Sequence, residues 1–144
     1  RVFSLIPGLE NAEFVRYGVM HRNTYIHAPD VLNRDFSVKN NERLSFAGQI
    51  TGVEGYVEST ASGLVAAINL DRRLCGKEPL ALTSETVIGA LANYVATPNS
   101  DFQPMNANYG VLKPLLTKPK KKADKKRLLS ERAIEKIKEI KESL

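Results

Sequence analysis

Three glycines fall within eight residues, Gly48-Gln-Ile-Thr-Gly52-Val-Glu-Gly55, between a short apolar run and a helix-compatible segment. Glycine admits positive φ and close backbone approach, so the chain is expected to turn tightly here. Residues 44–47 (LSFA) read as a buried strand entering the turn. Residues 57–74 read as a helix leaving it, with apolar positions at Leu64, Val65, Ala67, Ile68 and Leu74. Gly76 is the expected C-cap, and Pro79 blocks continuation. Strand, turn and helix in that order make half of a βαβ unit. The prediction is an α/β chain with a helix N-terminus at the turn.

The other segments follow from the same rules. Residues 1–6 (RVFSLI), stopped by Pro7-Gly8, and the partly alternating residues 13–20 (EFVRYGVM) predict extended pieces. Residues 21–41 are broken by Pro29 and rich in Asn and Asp, which predicts short strands and turns around 24–27 and 35–38. Residues 83–97, apolar at 87, 88, 91, 94 and 95 and halted by Pro98, predict a second amphipathic helix. Residues 99–109 (NSDFQPMNANY) predict a loop. A third helix is expected from Ser130, an acceptable N-cap, to Leu144, with a stripe at Ala133, Ile134, Ile137, Ile140 and Leu144. There is no internal repeat.

Composition narrows the class. At 42% apolar and 26% charged, the 144 residues argue against collagen, a disulfide scaffold or wholesale disorder. One Cys cannot form an internal disulfide, which fits a reducing compartment. No apolar run approaches the roughly 20 residues that span a bilayer. A cytoplasmic chain without membrane or metal is therefore expected.

The net charge of +5 is unevenly spread: residues 118–144 hold 11 of the 21 Lys and Arg but five of the 16 Asp and Glu. Two regions are predicted, a near-neutral body over 1–117 and a basic linker with an amphipathic helix over 118–144. Lys120, Lys121, Lys122, Lys125, Lys126 and Arg127 could neutralise several RNA phosphates, or serve only as a solvated linker.

The spacing G-x-x-x-G-x-x-G before a helix suits a bound ligand, because no Cβ obstructs the backbone and a helix N-terminus favours negative charge. It suits a purely structural turn equally. It is not the G-x-G-x-x-G dinucleotide fingerprint, and Asp71 falls inside the helix rather than in a following strand.

The residues themselves add more. Residues 44–68 (LSFAGQITGVEGYVESTASGLVAAI) closely resemble the C-terminal flavin segment of the TrmFO family, the folate- and FAD-dependent tRNA uracil-5-methyltransferases. Residues 6–21 (IPGLENAEFVRYGVMH) running into Arg22-Asn23-Thr24, the helix at 85–94 and residues 101–112 (DFQPMNANYGVL) agree in the same order. The related MnmG (GidA) flavoproteins share the idea of the glycine turn but lack the VMHRNT and FQPMNAN blocks.

The resemblance covers residues 1–117. It implies the C-terminal part of an FAD/NAD(P)-binding, Rossmann-like domain, and so the end of a longer enzyme. The implied cofactor is FAD, with NAD(P)H and methylenetetrahydrofolate as co-substrates. The implied partners are tRNA and the N-terminal half of the enzyme, and the product is 5-methyluridine in the tRNA T-loop. A non-catalytic remnant or RNA-binding accessory chain is the alternative from another class. An MnmG-type tRNA-modifying flavoprotein is the alternative among flavoproteins.

By the same resemblance, Gly48, Gln49, Gly52, Val53, Glu54 and Gly55 form the flavin turn. Tyr56 lies against the flavin or packs at the helix start, and Glu58 simply suits the helix dipole. His21 offers a stacking platform for a pterin, with Arg22 and Asn23 on its edge or glutamate tail. Asn106 and Asn108 read a polar ligand edge or close an Asx-type turn. No catalytic residue is expected in this stretch, because the family's functional cysteines lie in the part it lacks. Cys75 falls near a helix C-terminus, where the dipole disfavours a thiolate, and is read as structural, as is His27.

Overall fold

The computed structural model describes residues 2–15, 18, 23–80, 82–117 and 119–144. The described chain begins with a 3-10 turn, Phe3–Leu5, where the sequence predicted an extended piece, either a short strand or a buried segment. Residues 2–15 are all exposed, and β-propensity without a pairing partner does not make a sheet. Of the second extended piece, residues 13–15 and 18 are described and form no strand; the remainder lies outside the described residues.

Pro29 is tolerated in the first turn of a helix, where its missing N–H has no intrahelical partner to lose. It sits there in α1 (Ala28–Val31). The chain then folds into a hairpin of β1 (Ser37–Val38) and β2 (Asn41–Ser45), with Ser37 opposite Ser45 and Val38 opposite Asn41. The strand expected at 44–47 thus begins earlier and is mostly exposed, while Phe46 and Ala47 beyond it pack on the core. The half-βαβ expectation also changes. A short connection closes an antiparallel hairpin at once, whereas a parallel pair needs a crossover to a second strand. Among the described residues, parallel pairing is confined to one bridge, Val53 with Met105.

The long helix α2 (Tyr56–Leu74) matches its prediction to within a residue. It ends in a Schellman motif: Gly76 takes φ +70°, its N–H donates to Arg73 O at 3.0 Å, and Lys77 N–H donates to Arg72 O at 2.8 Å. Its buried face is Ser62, Val65, Ala66 and Asn69, while Leu64 and Leu74 are exposed. Helix α3 (Val87–Ala96) starts later than expected because Thr86 caps it, its Oγ1 accepting Gly89 N–H at 3.0 Å. Leu32, Phe36, Val53, Val65, Leu91, Val95 and Phe102 form the main core between α1, the hairpin, α2 and α3.

Arg73 of α2 clamps the hairpin. It pairs with Asp35, and its Nε lies 3.1 Å from Glu42 Oε2. Ser37 donates to Asp35 Oδ1 through its N–H at 3.0 Å and its hydroxyl at 2.6 Å. Burial pushes the Asp35 carboxyl up, but the hydrogen bonds from Ser37 and Arg73 outweigh it and hold the group below the ordinary carboxylate range.

The last helix corrects a boundary. α4 (Lys122–Glu142) absorbs most of the segment read as a linker over 118–127, and Ser130 lies within it rather than at its cap. Lysine is a good helix former, and Arg127 pairs along the helix with Asp124 (3.9 Å) and Glu131 (3.0 Å). Leu129 of α4 packs with Ala90 and Leu112. No helix among the described residues is long and apolar enough to cross a membrane.

Candidate functional site

Gly48 (φ +76°) and Gly52 (φ +87°) flank a 3-10 turn, Gln49–Thr51, and Gly55 is the N-cap of α2. Two hydroxyls on α2 hold this turn. Gly48 N–H donates to Ser62 Oγ at 2.8 Å, and Ser59 Oγ donates to Val53 O at 2.9 Å. Thr51 Oγ1 closes the turn on Gly48 O at 2.7 Å, and Ile26 N–H reaches Ile50 O at 2.9 Å. Ser59 and Ser62 were not singled out from the sequence. Their signal was two small hydroxyl residues at helical spacing on the face nearest the glycines.

The 99–109 loop is brought to the same place. Met105 N–H donates to Gly52 O at 2.8 Å and Glu54 N–H to Met105 O at 3.1 Å, forming the Val53–Met105 bridge. Two carboxylates extend the join: Asn106 Nδ2 donates to Glu54 Oε2 at 3.3 Å, and Ala107 N–H to Glu58 Oε1 at 2.8 Å. Behind the bridge, the buried Phe102 ring lies against Gly52, where a Cβ would fall 2.6 Å from its Cζ. At Gly55 a Cβ would collide with the Glu58 carboxylate. The space that two of the glycines open is therefore filled by the chain itself.

What the helix start offers is a mixed polar edge. Among the described residues, the amides of Tyr56 and Val57 have no acceptor, as expected in a first helical turn. The Glu54 and Glu58 carboxylates stand beside them. Next to this edge opens a groove of about 450 Å³, whose walls include Val57, Ala61, Leu91, Tyr109, Leu112 and Ile134. Tyr56 does not pack at the helix start; it is 85% exposed.

The remaining candidates divide. Asn106 faces the turn through Glu54, whereas Asn108 closes its own loop, accepting Gly110 N–H at 2.8 Å and donating to Asn106 O at 3.1 Å. Gln49 donates to Glu54 O at 3.3 Å, inside the turn. Val53 is fully buried. Asn23 is half-buried, and His21 and Arg22 lie outside the described residues. His27 is tied to Asp30 Oδ2 (2.8 Å) and Asn99 O (3.0 Å) and meets Phe102 edge-on. Cys75 is exposed at the C-cap of α2. Lys120, Lys121, Lys122, Lys125, Lys126 and Arg127 are exposed, and Lys126 Nζ lies 5.6 Å from the centre of the Tyr109 ring.

Comparison with known proteins bears on this arrangement. The chain is 58% identical over 142 residues to the methylenetetrahydrofolate–tRNA-(uracil-5-)-methyltransferase TrmFO of Desulfitobacterium hafniense (strain Y51), covering 98% of this chain and 32% of that protein. The protein of the same name from Caldicellulosiruptor bescii is 52% identical over 97% of this chain and 33% of its own length. That from Bacillus cereus (strain G9842) is 56% identical over 94% and 32%. The chain thus spans about a third of the length of the curated relatives it matches. The similarity runs beyond the body into the basic segment and α4, farther than the motif blocks indicated. The family model described as Glucose inhibited division protein A matches residues 1–78, more than half of the sequence. The chain belongs to the glucose-inhibited division protein A family, and within it is similar to the TrmFO proteins.

Proposed function

We propose that this chain is the flavin-site portion of a folate- and FAD-dependent tRNA (uracil-5-)-methyltransferase that forms 5-methyluridine in the tRNA T-loop, with methylenetetrahydrofolate as carbon donor and NAD(P)H as reductant. The observation that carries the reading is the meeting of the glycine turn and the 105–108 loop at the start of α2. The donor set suits a flavin's pyrimidine edge, which presents both carbonyl oxygens and a ring N–H. The Tyr56 and Val57 amides can donate to the oxygens, and a Glu54 or Glu58 carboxylate can accept from the N–H. The apolar groove beside them suits the flat ring.

When bound, FAD supplies the redox and one-carbon chemistry; the chain supplies binding, orientation and charge stabilisation. In this reading Gly48, Gln49, Gly52, Glu54 and Gly55 shape the edge, and buried Val53 acts through its backbone. The exposed Tyr56 ring lies against the cofactor. Folate is held by Asn23 and Asn106, together with His21 and Arg22, while Asn108 acts by fixing the loop. The body over 1–117 is then half of an FAD-binding, Rossmann-like domain in a cytoplasmic enzyme. The rest of the length found in its relatives completes it and carries the catalytic nucleophile.

The test is complementation. Co-purified with the complementary two-thirds of the Desulfitobacterium hafniense relative, the chain is expected to give a yellow complex that methylates unmodified tRNA, whereas alone it holds FAD weakly or not at all. A colourless, inactive complex would overturn the reading and favour a non-catalytic accessory chain.

A further inference from the structure

Residues 120–127 carry five lysines and Arg127 against one carboxylate, Asp124. Arg127 is engaged by Asp124 and Glu131, but Lys120, Lys121, Lys122 and Lys125 have no ion-pair partner among the described residues. Beyond Glu131 the helix mixes both signs, and Lys136 is paired with Glu139 at 2.7 Å. Lysines at the start of a helix oppose its dipole, so the dipole gives them no reason to gather there.

Their position is informative. Lys122, Lys125 and Lys126 are spaced as neighbours on the side of α4 that carries the buried Leu129, so they overhang the body rather than face away from it. Lys126 reaches the exposed Tyr109. Tyr109 belongs to the loop whose Asn106 and Ala107 are tied to Glu54 and Glu58 at the start of α2. A path therefore runs from Lys126, across the Tyr109 ring, to the loop that borders the candidate site.

We propose that Lys121, Lys122, Lys125 and Lys126, with Tyr109, form an RNA-contact surface that delivers a nucleotide to the start of α2. The lysines neutralise backbone phosphates, and Tyr109 stacks on a base at the border of the site. RNA is favoured over an anionic membrane by the aromatic platform and by the way the leucines of this turn are turned inward: Leu129 is buried and Leu128 half-buried. The choice of RNA rests on the function proposed above, but binding is read here without flavin, folate or turnover, so the two can fail separately.

The experiment is fluorescence anisotropy with an unmodified tRNA transcript and the full 144-residue chain over a series of KCl concentrations. Changing Lys121, Lys122, Lys125 and Lys126 to Gln is expected to weaken binding at least about tenfold near physiological salt. It is expected to make the plot of log K against log salt shallower by about 3, since each phosphate contact contributes about −0.7 to −0.9. Arg at the same four positions is expected to retain binding, and Tyr109→Ala to weaken it without changing the salt slope. The control Lys136→Gln/Lys138→Gln/Lys141→Gln removes charge from the far end of α4 and should leave binding intact; circular dichroism verifies that every variant is folded. Equal loss in both lysine sets, no loss in either, or tighter binding to phosphatidylglycerol vesicles than to tRNA would each overturn the proposal.

Discussion

Gly52 shows how a residue can look like a ligand-contact position and be held for another reason. Its φ of +87° lies where a side chain is strained, and its open face is occupied by Phe102. Gly52→Ala combines left-handed strain with overpacking of a buried ring, for an expected loss of about 2–4 kcal/mol. Chemical denaturation measures this directly, and a loss under about 1 kcal/mol would show that Phe102 moves aside freely. Asp35 makes a second residue-scale prediction. Its folded pKa is depressed, so its contribution is complete above the unfolded value of about 3.9 and disappears as pH falls through the folded value. Asp35→Asn should cost about 2–3 kcal/mol at neutral pH, and the gap to the parent chain should narrow on acidification below about pH 4. A gap that stays constant with pH would mean the carboxylate's charge is not what matters.

Among the α-helices described, α4 is the one with a single buried residue. Leu129 is its buried anchor against Ala90 and Leu112, while Ile134 and Ile137 remain exposed. Leu129→Ala is expected to cost about 2–3 kcal/mol and to undock the helix, visible as faster proteolysis between Leu116 and Lys121 with the cleavage pattern of the body unchanged. The elements also show what a sequence reveals. α2 was legible because a long helix-compatible run ends in a glycine whose positive φ its C-terminus needs. The start of α4 was not, because lysine reads equally as linker or helix, and the spacing of Asp124, Arg127 and Glu131 was the signal to weigh. Residues 1–6 carried β-propensity, but a strand is a property of a pair. The glycine turn could be read from residue types. Its join to Met105 could not, since backbone hydrogen bonds leave no mark on side-chain identity.

For the molecule as a whole, the candidate site is an edge without a full enclosure. The turn, the 105–108 loop and the apolar groove share one side of the body, where Tyr56 and Val57 are largely exposed. The chain spans about a third of the length of the relatives it matches. The bridge between Val53 and Met105 also suggests an order of events to measure. It joins segments separated by both α2 and α3, and the entropy of closing that loop is lost before the contacts repay it. The two amides that make the bridge, Glu54 and Met105, should therefore exchange their hydrogens together and sooner than the interior of α2. Independent exchange of the pair would show that the two halves close separately. If they open as one and before the interior of α2, the candidate edge is the first part of this core to disappear on warming, while the helices still stand.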